Sequence, residues 1–271
     1  MKDLIINEKP YELDVDKNGF PCFTKKNIMF ISAIIKYDSS YSIAYDTQNP
    51  SSSAYLLDKK FPENENALRK AVMLIDKENS THLIVSGTEK NGGDSNKQGI
   101  EITVKSMINK IGLNQISNGI KNGDTSLVDQ IADFVDGRYN ISFASKFCAY
   151  CNRNCFGKDD YSIYDSVLNR ILPYYAYVYL DECHWKRITG KNARYESNIT
   201  YEFADKDGNK NYTGYNDLIG RIIEKVNSVF GYVVTRKEFD WLLWYYFKGD
   251  DTRIKNANKC LNDPTKVLSL Q

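Results

Sequence analysis

Apolar positions recur with a helical period over most of the chain, and this pattern sets the expected fold. Within 64–76, Leu68, Ala71, Val72 and Ile75 fall on one stripe. That is the i, i+3, i+4, i+7 spacing of an amphipathic helix. Residues 100–111 and 125–135 carry two more helical patterns, the second opened by Asp124 as a cap. Residues 142–151 read as a helix, followed by a polar loop at 152–161. The next helix is expected at 165–172, ended or kinked by Pro173. Two closing helices are expected at 215–230 and 235–247, punctuated by Gly231. Gly249 and a basic tail with Arg253, Lys255 and Lys259 complete the pattern.

The first sixty residues read differently. The stretch 11–20 alternates as a strand should and runs into an Asn18-Gly19 turn. Residues 28–37 and 41–45 are apolar or tyrosine-rich strand candidates, and the first also suits a helix. Residues 90–96 form a loop by composition. Residues 188–214 are polar and read as a long excursion or a β-hairpin. The expected fold class is mainly α, with some α+β character. A β-containing part at 1–60 would pack on a helical body at 61–271.

Composition narrows the function classes. The 271 residues are 42% hydrophobic and 26% charged, enough for a substantial core. Lysine and arginine number 36 against 35 acidic residues, a formal charge of +1. A nucleic-acid binder with this balance must gather its basic residues on one face. No apolar run reaches the length of a signal peptide core or a membrane span, so a cytoplasmic protein away from the membrane is expected. Six cysteines, three of them within 148–155, do not make a secreted disulfide frame. The 20 tyrosines suit base-stacking surfaces and ordinary half-buried positions alike.

The candidate chemistry lies at 146–165. Lys146 sits on one expected helix, and Asp165 stands 19 positions later where the next helix should be capped. Backbone N–H groups and the helix dipole favour a carboxylate there. A carboxylate can stabilise an oxocarbenium-like sugar. An amine whose pKa is lowered by burial can attack the C1′ carbon of that sugar.

These residues resemble the helix-hairpin-helix DNA glycosylase superfamily, in particular its lyase-competent 8-oxoguanine DNA glycosylase branch. Ala144-Ser145-Lys146 resembles the lysine-bearing segment. The stretch 162–170, with Tyr164, Asp165 and Arg170, resembles the aspartate-bearing one. The resemblance implies a helical glycosylase-like fold, with Lys146 as Schiff-base nucleophile and Asp165 as essential carboxylate. It implies DNA contacts from Arg138, Asn140, Ser142 and Arg170. The partner would be double-stranded DNA carrying a damaged or modified base, the protein a monomer, and no cofactor is called for. The chain departs from the superfamily at its hairpin, where 138–142 lacks the usual glycines, and at Val167, where histidine is common. The aromatic stretch 236–247 is similar to the closing helix of divergent bacterial members. Tyr150, Phe239 and Trp241 are the candidates to line a pocket for a flipped base. Repair and defence against phage with modified bases both fit this resemblance.

Other readings stay open. Cys148, Cys151 and Cys155, with Cys183 or His184, allow a metal site of another fold. Three small buried thiols explain the same cysteines without a metal. A catalytically silent DNA-binding module and a protein-interaction factor are further alternatives. With two histidines and no Gly-x-Ser-x-Gly or P-loop motif, hydrolase triads and P-loop chemistry find no support.

Overall fold

The computed structural model describes residues 5–6, 9–10, 12–37, 64–79, 83, 95–133, 139–182, 185–187, 199–201 and 211–261. It is mostly helical, as the apolar periodicity requires. The helices are α1 Lys25–Tyr37, α2 Glu65–Asn79, α3 Ser95–Lys110, α4 Leu113–Asn122, α5 Ser126–Ala132, α6 Ile141–Phe156, α7 Ser166–Leu180, α8 Tyr212–Phe230, α9 Arg236–Phe247 and α10 Asp251–Leu261. Two short antiparallel pairs accompany them, β1 Ile5–Ile6 with β2 Lys9–Pro10 and β3 Trp185–Arg187 with β4 Ile199–Tyr201. Residues 28–37, a strand candidate by composition, belong to α1. The strand candidate at 41–45, residues 90–94 of the expected loop and most of 188–214 lie outside the described residues, while residues 95–96 of that loop open α3.

The chain falls into two compact units. The first comprises Met1–Ala33, Asp165–Ala204 and Asp217–Gln271, and the second Ile34–Tyr164 and Asp205–Asn216.

The second unit is built on α2 to α6. The expected stripe of α2 is fully buried at Leu68, Ala71, Val72 and Ile75. It packs against α3 and α6, while α4 and α5 also pack against α6. Facing positions Val104, Met107, Ile116, Ile120, Val128, Ile131, Phe143 and Phe147 complete the core. Asn64 caps α2 by accepting from Ala67 N–H at 3.0 Å. Thr125 rather than the expected Asp124 is the N-cap of α5, and Asp124 Oδ1, one residue before it, accepts from Ser126 N–H at 3.1 Å. Helix α4, outside the expected elements, is mostly polar and buries Ile116 and Ile120 one turn apart. Its Gly119 has a packing reason: a Cβ there would meet Leu127 Cδ2 at 3.0 Å.

The first unit is organised on α7, which packs against α9, α10 and β4. Pro173 lies inside α7, which runs on to Leu180 rather than ending or breaking at the proline. Proline there forfeits the bond that the Asn169 carbonyl would accept. Burial of Tyr174, Tyr175 and Tyr179 just beyond it outweighs that loss. Phe23 stacks on Phe239 with centroids 4.8 Å apart and meets Tyr175 edge-on at 5.5 Å. Phe20 meets Tyr174 at 4.8 Å.

The stretch 12–24 supplies those two phenylalanines and is fastened by tyrosine hydroxyls. Tyr174 donates to Asp16 Oδ2 at 2.5 Å, Tyr175 to Pro21 O at 3.0 Å and Tyr246 to Gly19 O at 3.0 Å. Tyr232 donates to Phe23 O. The expected Asn-Gly turn is present: Gly19 has φ 82°, and Val15 bridges Pro21 across it. Asp14 pairs with Lys26 at 2.8 Å, which together with Thr24 holds its carboxyl below the usual range.

Candidate functional site

The lysine-bearing helix begins at a genuine cap. Asn140 Oδ1 accepts from Phe143 N–H at 3.0 Å, and Asn140 N–H donates to Ala132 O at 2.9 Å. Asn140 therefore ties the start of α6 to the end of α5. Ser142, Lys146 and Tyr150 recur every four residues, which puts them along one side of α6. Ser142 and Lys146 are half-buried, whereas Tyr150 is buried. The neighbours of Lys146 in sequence, Ser145 and Phe147, have no exposure at all. The lysine stem thus leaves a rigid, packed helix.

The chain from α6 towards Asp165 is held residue by residue within the second unit. Asn152 Oδ1 accepts from Asp160 N–H at 3.0 Å, and its Nδ2 donates to Ile120 O at 2.8 Å. Arg153 pairs with Asp159 at 2.5 Å. Tyr161 OH donates to Gly119 O or Asp124 O, at 2.9 and 3.1 Å. Ser162 N–H donates to Asn216 Oδ1 at 2.8 Å. Tyr212 OH and Tyr215 OH donate to Ser162 O at 2.5 Å and Ile163 O at 2.9 Å. Last in the run, Tyr164 N–H donates to Ser145 Oγ at 3.0 Å. The residue before Asp165 is therefore bonded to the residue before Lys146.

Asp165 caps α7, its Oδ1 accepting from Val167 N–H at 2.9 Å and Leu168 N–H at 2.7 Å. Its φ of −139° and ψ of 172° are the extended values of a cap. Asp165 opens a segment of the first unit, whereas Lys146, Asn140, Ser142 and Tyr150 belong to the second.

Among the other expected site residues of the first unit, Arg170 pairs with Asp251 at 2.7 Å, bracing α7 to α10. Phe239 has no exposure and is stacked on Phe23, so its ring is part of the core. Trp241 is buried, with Lys237 Nζ 4.2 Å from its ring centroid. A lysine over an indole face is a cation–π pair. Arg138 lies outside the described residues.

Cys148 and Cys151 are fully buried, and burial pushes both thiols well above their ordinary pKa. The Cys151 thiol also shares a hydrogen bond with Cys155. Among the described residues no group of three or more His, Cys, Asp or Glu is placed to hold a metal ion. Cys183 and His184, the expected completing ligands, lie outside those residues.

Two features escaped sequence reasoning. One is the role of Ser145 as anchor for Tyr164, for which a lone serine inside a helix gives no signal. The other is the exposed carboxamide row of α4, whose regular spacing becomes legible once the helix is known.

A family model described as HI_0787_N, an N-terminal domain, matches residues 34–155. The match lies entirely within the longer segment of the second unit. No curated protein and no solved structure matches the chain. No helix among the described residues is long and apolar enough to cross a membrane.

Proposed function

We propose that the chain is a helix-hairpin-helix DNA glycosylase with abasic-site lyase activity, acting on a damaged or modified base flipped out of duplex DNA. The observation that carries the reading is the hydrogen bond from Tyr164 N–H to Ser145 Oγ. It ties Tyr164, the residue before Asp165, to Ser145, the residue before Lys146, and so supports the pairing that the resemblance implies. The Asp165 cap adds support. Both N–H bonds fall on Oδ1, and Oδ2 is assigned to the charge that develops on the sugar.

In this reading Lys146 Nζ attacks C1′ of the deoxyribose. The bond from C1′ to the base nitrogen breaks, and the base leaves with the electron pair and takes a proton from solvent. Asp165 stabilises the cationic sugar as that bond stretches. Ring opening gives an imine between Lys146 and C1′. Loss of a C2′ proton then expels the 3′ phosphate by β-elimination. Asn140 and Ser142, at the start of α6, would meet the DNA backbone where superfamily hairpins use glycines. Tyr150 and Trp241 are buried, and each would have to leave its packing to meet a base. Phe239 could reach a base only by leaving its stack on Phe23.

Borohydride trapping on a duplex with an abasic site tests the lysine. The protein should form a covalent adduct and Lys146→Gln should form none. Absence of an adduct from the unaltered protein, or an equal adduct from the variant, removes the assignment. A panel of modified-base duplexes scored for base release identifies the substrate.

A further inference from the structure

Helices α4 and α5 enclose an open cleft of about 540 Å³ in the second unit. That size falls within the range of ligand sites, roughly 300–1,000 Å³. Its lining is chemically unusual. Gln115, Asn118 and Asn122 reach it from α4, and Gln130 from α5. All four are exposed, and Asp124 at the apex contributes the only charge among the described lining residues. Ile111 and Leu127 add aliphatic surface. Among the described residues no aromatic side chain lines the cleft.

The geometry points to a docking groove for an extended polypeptide segment of neutral or basic composition, supplied by a partner protein. A carboxamide carries a donor and an acceptor side by side, matching the N–H and C=O that one residue of an extended chain turns to one side. Such residues recur every second position, about 6.7 Å apart. Along α4, Asn118 and Asn122 stand about 6 Å apart, and Gln115 about 4.5 Å before Asn118. The Asn118–Asn122 step therefore lies close to the peptide repeat, and Gln115 stands short of it.

Other ligand classes fit less well. A nucleic-acid strand would bring phosphates to the Asp124 carboxylate, and its bases would find no described ring to stack on. The same carboxylate favours a lysine or arginine on the bound segment. The cleft is also preorganised. Tyr161 OH bonds beneath it to the carbonyls of Gly119 and Asp124, and Asp124 Oδ1 accepts from Ser126 Oγ at 2.7 Å. A groove that need not rearrange loses less on binding.

The inference is independent of the glycosylase reading. Its test pans a random heptapeptide display library against the full chain, with counter-selection on Asn118→Ala/Asn122→Ala. Both asparagines are exposed, so the variant should melt like the parent, which is the folding control. Neutral or basic peptides should be enriched and should bind the variant about tenfold more weakly, a loss of roughly 1.4 kcal/mol. Asp124→Asn should weaken the lysine- and arginine-bearing peptides selectively. No enrichment over the variant, or enrichment of acidic peptides, overturns the proposal. So does tighter binding of adenosine or methyl glucoside to the same carboxamide signals in NMR titrations.

Discussion

At Asp165 the cap and the proposed chemistry can be separated by one atom. Asparagine caps a helix about as well as aspartate, so Asp165→Asn should keep the melting temperature of the parent. It should slow base release by at least about 100-fold, the lower range for a positioned acid–base group. Asp165→Ala should add a stability loss of about 1 kcal/mol. Equal activity in the Asn variant and the parent would leave Asp165 as a cap alone. The cysteines give a second test at this scale. Cys148 and Cys151 have no exposure and raised thiol pKa values, and burial lifts the Cys22 thiol to about 11. The thiolate is the reactive form, so iodoacetamide near pH 8 should label Cys148 and Cys151 only once the chain unfolds. Fast labelling in the native state would mean that α6 opens locally. Single residues of this kind were partly legible in the sequence. A helix-start aspartate announces itself by the apolar helical pattern on its C-terminal side, whereas Ser145 does not, because its partner lies 19 residues away.

Apolar-rich segments were legible as helices, and polar-rich ones were not. The stripe of α2 gave its core face directly, and the aromatic run at 236–247 marked α9, which opens on a capping box of Thr235 and Glu238. In that box Thr235 Oγ1 accepts from Glu238 N–H at 3.2 Å and Glu238 Oε2 accepts from Thr235 N–H at 2.9 Å. Thr235→Ala should cost about 1 kcal/mol, measured by denaturant midpoint. A neutral result would show that burial along α9 fixes the helix without its cap. By contrast, α4 and α10 are polar along most of their length, with two and three buried residues. Tertiary packing rather than local pattern decides such helices. The run of α7 past Pro173 is the same lesson reversed, since the local stop signal loses to the aromatic cluster beyond it.

For the molecule as a whole, buried hydroxyls and thiols set the response to alkali. Burial raises the pKa of Tyr161 in the second unit and of Tyr174, Tyr175, Tyr179 and Tyr232 in the first. These are neutral acids whose folded pKa exceeds the unfolded value of about 10. Their contribution is complete below that pH and is lost as pH rises, because the unfolded chain releases protons that the folded chain keeps. Each such group adds a slope of about 1.4 kcal/mol per pH unit. Cys22 begins the decline earlier, above its ordinary value of 9.0. The melting temperature should therefore hold to about pH 9 and fall steeply beyond pH 10, with a further step of tyrosinate absorbance accompanying unfolding. A melting temperature unchanged between about pH 9 and pH 11 would show that these hydroxyls reach water in the native state.

The fastening of 12–24 by tyrosine hydroxyls also sets an order of events during synthesis. Its bonds to Tyr174, Tyr175, Tyr232 and Tyr246 span 154 to 227 residues of chain. Phe20 and Phe23 emerge from the ribosome well before the rings on α7 and α9 that cover them. Helices α2 to α6 can collapse on one another meanwhile, since their stripes are complete by Phe156. At about 5–20 residues per second, the first unit waits roughly ten seconds or more with two phenylalanines uncovered. Contacts of such separation are slow to close, so the N-terminal segment is the part of the nascent chain most in need of protection.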